Sequence, residues 1–158
     1  MSTNLSDLCM LVVKTLIKKN MTIALAESCT GGMIGSTFAD IPGVSAVFLE
    51  DIVTYSNDAK IRLGVKSETL SKHGAVSEQT AGEMAESIRK RAGASVGVST
   101  TGIAGPDGGT SEKPVGLVYV GISTENGTFV RKLNLSGNRQ DIRKNTTLSV
   151  FNFILEEL

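Results

Sequence analysis

A serine stands in a run of small residues, Ala26-Glu27-Ser28-Cys29-Thr30-Gly31-Gly32, after the apolar and β-branched stretch Thr22 to Ala26 and before a helix-like pattern. That order predicts a strand, a tight turn and a helix. A short polar side chain at such a junction sits beside the first unpaired N–H groups of the helix, whose partial positive charge can hold an oxyanion or a phosphate. Ser28 is therefore a candidate nucleophile, with oxyanion donors among Thr30, Gly31 and Gly32. The plainer alternative is that Ser28 or Thr30 only caps the helix, the commonest task of those residue types there. Cys29 competes with Ser28, because a helix N-terminus lowers a thiol pKa. It ranks second because small cysteines are commonly buried.

A serine hydroxyl needs a base. The chain has one histidine, His73, in the polar turn Ser71-Lys72-His73-Gly74, where a solvated role is expected. The remaining base is a lysine held neutral, by burial or by the positive end of a helix. Lys60 falls in the first turn of a short helix predicted over 58–63, which Ser56 or Asn57 would cap and Gly64 would stop. Its alternative is an ordinary surface lysine. The loop Thr100 to Gly109, with Gly102 and Gly105 in it, could wrap a phosphate in backbone N–H groups, yet it matches neither the P-loop nor the dinucleotide-binding fingerprint. Arg143, beside Arg139 near the start of the last helix, could pair with a phosphate or carboxylate; an exposed helix charge is the alternative.

The elements that must position these residues follow from periodicity. Leu5, Leu8, Val12 and Leu16 recur at helical spacing, with Asn4 as a cap and Lys18 and Lys19 at the end. Residues 32–39 form a short helix, and 48–55 a strand that brings Tyr55 to its end. A longer helix opens at Ser77 and closes at Gly93, with Met84, Ala85 and Ile88 inward. Residues 94–99 make a buried strand. Strands over 115–124 and 128–135 are joined through Glu125-Asn126-Gly127, a hairpin signal, and the last helix carries Ile142, Thr146, Val150 and Phe153 on one stripe. Alternating helices and strands followed by a hairpin predict an α/β fold of three layers, α/β/α, with a mixed, mostly parallel sheet and a C-terminal antiparallel hairpin. Such sheets gather their sites at the strand ends, which would bring Ser28, Tyr55 and the glycine-rich loop together.

Composition narrows the function classes. A chain of 158 residues with 41% hydrophobic residues can bury a core, and one domain over 1–158 is expected. Sixteen basic residues against sixteen acidic ones give no overall field for nucleic acid or an anionic membrane. The start of the chain lacks a signal-peptide pattern and its apolar run is broken by lysines, so a soluble protein is expected. Two cysteines without CxxC spacing fit a reduced, cytoplasmic setting. With one histidine and no thiolate or carboxylate set at ligand spacing, no metal and no cofactor are expected.

Beyond spacing, Ala26 to Gly32, Val53-Thr54-Tyr55-Ser56-Asn57-Asp58-Ala59-Lys60, His73-Gly74-Ala75-Val76-Ser77, Gly102-Ile103-Ala104-Gly105-Pro106-Asp107-Gly108-Gly109 and Lys113-Pro114-Val115-Gly116 resemble the motif set of the CinA C-terminal domain family, over nearly the whole chain. The resemblance implies a nicotinamide-nucleotide amidohydrolase, or nicotinamide mononucleotide deamidase, in a stand-alone form without the family's N-terminal nucleotide-binding domain. It implies a serine and lysine pair falling on Ser28 and Lys60. Tyr55, Thr101 and Arg143 align with residues that assist catalysis or hold substrate, and Arg143 with the glycine-rich loop, Gly102 and Gly105 included, would take the 5′-phosphate. A homo-oligomer is also expected. Two other readings stay open: a catalytically weak nucleotide-binding domain of the same fold, and an interaction protein with an exposed apolar surface.

Overall fold

The computed structural model describes residues 4–158; the first three residues of the expected domain lie outside it. Five strands form one mixed sheet in the order β2-β1-β3-β4-β5, with β1 at Ile23–Glu27, β2 at Phe48–Val53, β3 at Val96–Gly102, β4 at Leu117–Thr124 and β5 at Gly127–Asn134. β1 pairs in parallel with β2 and β3, whereas β4 is antiparallel to both β3 and β5, so β4 alone runs against the other four. The helices are α1 (Leu5–Lys19), α2 (Met33–Ala39), α3 (Asn57–Leu63), α4 (Ser67–His73), α5 (Glu78–Ala92) and α6 (Arg139–Glu157). The three-layer α/β/α architecture read from the sequence is the one observed.

Alternation along β1 sets the layers. Ile23 and Leu25 face a large cluster with Val12, Leu16, Phe38, Val98, Val120, Phe151 and Ile154, which joins α1, α2 and α6 to one face of the sheet. Ala24 and Ala26 face the other way onto Met84, Ile88 and Val65 beneath α5. Strands buried on both faces read as continuous apolar runs, which is why β1 has no polar residue before Glu27. On the α5 side the sheet is built from small residues so that the helix can approach closely. A Cβ at Gly97 would collide with the Ala85 carbonyl and with Arg89, and the Ser99 hydroxyl donates to the Ala81 carbonyl at 2.6 Å.

Most caps are local and legible. The Asn4 side chain accepts from the Ser6 N–H, Ser56 from Ala59, and Ser77 from Thr80, while Asn138 and Asp141 form a reciprocal capping box at the start of α6. At their C-terminal ends two strands differ from expectation by two residues or more. β3 runs on through Thr100 and Thr101 to Gly102, because these residues pair with Val120, Tyr119 and Val118 of β4. β2 stops at Val53, because the carbonyls of Thr54 and Tyr55 turn away from the sheet to another partner, described below.

The order β2-β1-β3 decides where a ligand fits. The chain leaves β1 through α2 on one face to reach β2 on one side, then returns through α3, α4 and α5 on the other face to β3 on the opposite side. The carboxyl ends of β1 and β3 therefore border the point where the winding reverses, the place where open α/β sheets form a crevice. Ser28 follows β1 there, and Thr101 lies at the end of β3.

Candidate active site

A cleft of about 260 Å3 opens at these strand ends, lined by Ser28, Cys29, Tyr55, Lys60, Thr101 and Arg139 together with the Ile103–Gly105 loop. That volume suits a small molecule or part of one. Ser28 and Lys60 meet at its floor: Lys60 Nζ lies 3.0 Å from Ser28 Oγ. Lys60 is 1% exposed and Ser28 8%, so the pair is buried although one side opens to the cleft. The amine also donates to the Thr54 carbonyl at 2.7 Å and the Tyr55 carbonyl at 3.3 Å. No salt bridge to Lys60 exists among the described residues. Burial lowers its pKa from the ordinary 10.5, opposed by charge at Cys29.

The turn carrying Ser28 is fixed from three directions. From below, Thr30 Oγ1 and Thr100 Oγ1 are 2.8 Å apart, tying the turn to β3, and the Ser28 N–H reaches Thr100 Oγ1 at 3.4 Å. From one side, Glu27, 1% exposed, accepts the N–H groups of Gly32, Ile34 and Gly35 at 3.2, 3.1 and 3.0 Å. From the other, the Arg143 guanidinium donates to the carbonyls of Cys29 at 3.2 Å and Thr30 at 2.8 Å.

These contacts revise several expected roles. The Gly31 N–H donates to the Ser28 carbonyl and the Gly32 N–H to Glu27, so neither is free for an oxyanion. The N–H groups of Cys29 and Thr30 reach no acceptor in another residue, among the described residues, and are the unengaged donors of the turn. Arg143 does not line the cleft; its guanidinium is spent on the turn's carbonyls, and the cation at the cleft is Arg139. Arg139 Nη1 donates to the Gly105 carbonyl at 2.6 Å and Nη2 to the Tyr55 hydroxyl at 2.9 Å, joining the β2–α3 connection to the glycine-rich loop. The Tyr55 ring is 58% exposed, and it is the residue's backbone carbonyl, not its hydroxyl, that meets Lys60. Thr101 and Gly102 line the cleft, and Thr101 donates its hydroxyl to the Ala75 carbonyl at 2.7 Å. Burial pushes the Cys29 thiol up to about 11, which removes it as a competing nucleophile at neutral pH.

Sequence reasoning missed Arg139 and Glu27. Arg139 and Arg143 are four apart and share a helix face, so pattern alone could not say which of them reaches the cleft. The signal for Glu27 was present: one acidic residue closing an otherwise apolar, fully buried strand needs a partner. No group of three or more His, Cys, Asp or Glu side chains that could hold a metal ion is found among the described residues. No helix among them is long and apolar enough to cross a membrane.

Comparison with known proteins gives this arrangement a context. The competence-damage inducible proteins of Acetivibrio thermocellus and Clostridium perfringens are 56% and 55% identical over 154 and 148 residues, covering 97% and 93% of this chain. The chain spans 37% and 36% of their lengths, so it matches one portion of longer proteins. Among solved structures, the competence/damage inducible protein CihA from Agrobacterium tumefaciens superposes with a TM-score of 0.94 at 38% identity, covering 99% of this chain and 98% of that one. A CinA superfamily protein from Klebsiella pneumoniae gives 0.95 at 29% identity, with 98% of both chains covered. The family model for the CinA C-terminal domain matches residues 5–158, and to that family the chain belongs.

Proposed function

We propose that the protein hydrolyses the carboxamide of nicotinamide mononucleotide to nicotinic acid mononucleotide and ammonia. The observation that carries the reading is the buried amine of Lys60 within 3.0 Å of Ser28 Oγ. A neutral amine has two N–H bonds and one lone pair. The carbonyls of Thr54 and Tyr55 take the two N–H bonds, so the lone pair is left for the serine hydroxyl, which then donates to it. An ammonium in the same pocket would have to sit buried without a carboxylate, a costly arrangement.

In this mechanism Lys60 takes the proton of Ser28 as Oγ attacks the carboxamide carbon, and the carbonyl oxygen becomes an oxyanion facing the N–H groups of Cys29 and Thr30. Collapse breaks the C–N bond; the proton on Lys60 passes to the leaving nitrogen, and ammonia departs. Lys60, neutral again, takes a proton from water, whose oxygen attacks the ester; release of Ser28 Oγ with that proton regenerates the enzyme. Arg139 and the N–H groups of the glycine-rich loop hold the 5′-phosphate at the rim, where Arg139 exchanges its contact with the Tyr55 hydroxyl for phosphate oxygens. The exposed Tyr55 ring offers a wall for the pyridine.

Incubation with nicotinamide mononucleotide and an assay for released ammonia tests the reading. Ammonia and nicotinic acid mononucleotide in equal amounts are expected from the wild type. Binding without ammonia would instead favour a nucleotide-binding domain.

A further inference from the structure

Glu27 is used by no step of this chemistry, yet it is buried directly behind Ser28, and its carboxylate holds three N–H groups at the start of α2. A second carboxyl group, that of Asp51 on β2, lies against the same first turn of α2. The two residues lie on the same face of the sheet: Asp51 pairs in register with Leu25, two residues before Glu27 on β1, and Leu25 belongs to the α2 side. The close approach involves α2 as well. A methyl group at Gly35 would collide with the Asp51 carboxyl, and the N–H of the same residue donates to Glu27 Oε2. Two carboxyl groups set against one glycine can hydrogen bond to each other only through a shared proton, since neither carboxylate can donate.

Glu27 accepts three N–H bonds across both of its oxygens, so Asp51 is the member of the pair left to act as donor. Asp51 Oδ1 is buried without a partner, tolerable for the carbonyl oxygen of a neutral acid and costly for an anion. We propose that Glu27 and Asp51 work as a pair sharing one proton, in which Asp51 donates to Glu27 and the paired carboxylate positions the Ser28 turn and the first turn of α2. Asp51 is thus a positioning residue, and it makes the geometry of the nucleophile sensitive to alkaline pH. Two cations stand near the turn and both are engaged elsewhere: Arg143 of α6 donates to the carbonyls of Cys29 and Thr30, and Lys60 of α3 to those of Thr54 and Tyr55. Beside Glu27 from β1, α2 carries no charged side chain, and the 3-10 turn at Val44–Ala46 contributes no titratable group. Cys29 holds its proton, and Glu50, the neighbouring acid on β2, is engaged with Arg91 of α5. In agreement, burial first, then the hydrogen bond and the charge of Glu27, hold the Asp51 carboxyl up to about 9.

The folded protein then binds more protons than the unfolded chain between the ordinary 3.8 of Asp51 and about 9, so this group's contribution to stability falls as pH rises through that window. Asp51→Asn keeps a donor toward Glu27 and removes the titration. Melting of the wild type and of Asp51→Asn is compared from pH 4 to pH 10, and the advantage of the variant is expected to grow steadily to about pH 9 and then level off. This measurement does not depend on the proposed reaction. The hold on Ser28 is read separately, from the rate at which a fluorophosphonate labels Ser28, which requires the nucleophile and not nicotinamide mononucleotide. Wild-type labelling is expected to fall above about pH 9 relative to pH 7.5, and Asp51→Asn to retain a higher ratio of the two rates. Asp51→Ala, lacking a donor, should label about tenfold more slowly at pH 7.5, with Asp51→Asn restoring most of the loss. A melting difference that stays flat across the pH range would overturn the shared proton. Identical labelling profiles for all three proteins would overturn the control of Ser28.

Discussion

In the proposed reaction the Lys60 amine is the group whose protonation decides the chemistry. Because burial lowers its pKa in the fold, the unfolded chain binds the extra proton between that lowered value and 10.5, and the stability contributed by the group rises with pH across the window. Lys60→Met removes the titration, so its melting temperature relative to wild type should drop steadily as pH climbs toward 10.5; a constant difference would mean an amine that stays charged in the fold. The two arginines should separate by kinetics. Arg139→Ala is expected to raise KM for nicotinamide mononucleotide about tenfold or more with kcat little changed, whereas Arg143→Ala, which frees the carbonyls of Cys29 and Thr30, should lower kcat. At this scale the meeting of Ser28 and Lys60 was expected from the motif resemblance, since the turn alone also fits a helix cap and the helix alone also fits a surface lysine. The direction of a long side chain was not. Arg143 turns back to the turn's carbonyls, Arg139 reaches out to the cleft, and Tyr55 meets Lys60 through its backbone carbonyl; all three depend on packing between elements distant in sequence.

Helix α3 is short, and its position is what holds Lys60 over Ser28. Ser56 caps it through the Ala59 N–H at 3.1 Å, so Ser56→Ala should cost about 1 kcal/mol in chemical denaturation and lower the rate as well, because fraying would release the amine. A stability loss with full activity would show that α3 is held by other contacts. Helices were read closely from their caps and periodicity, since those signals are local: Asn4, Ser56 and Ser77 all cap where the sequence suggested. Strand ends were read less well. β3 extends into what looked like a glycine-rich loop because its pairing with β4 supports Thr100 and Thr101, and β2 ends early because a buried amine claims two of its carbonyls. Neither cause can be found within the strand's own residues.

For the molecule as a whole, the strand order β2-β1-β3 brings Ser28, Lys60 and Thr101 to one crevice from positions far apart in the chain. Hydropathy predicted the strands and layers, but it does not encode which strands become neighbours, so the site came from the topology of open α/β sheets and from the motif resemblance rather than from any local pattern. A ligand held across these strand ends should stabilise the whole fold. At a hundredfold excess over its Kd, nicotinamide mononucleotide should add about 2.7 kcal/mol to the stability of Ser28→Ala, which cannot consume it, seen as a rise in Tm by calorimetry. Nicotinamide riboside, without the phosphate, should give a smaller rise at the same concentration. The most direct test of the central claim is the rate of ammonia release from nicotinamide mononucleotide, measured across pH for the wild type and Ser28→Ala. The wild type should show a rate that rises with pH, with a midpoint below the ordinary lysine value, and that falls again above about pH 9, while Ser28→Ala folds normally and loses at least about a thousandfold in kcat. Wild-type turnover in the folded Ser28→Ala protein would contradict the account.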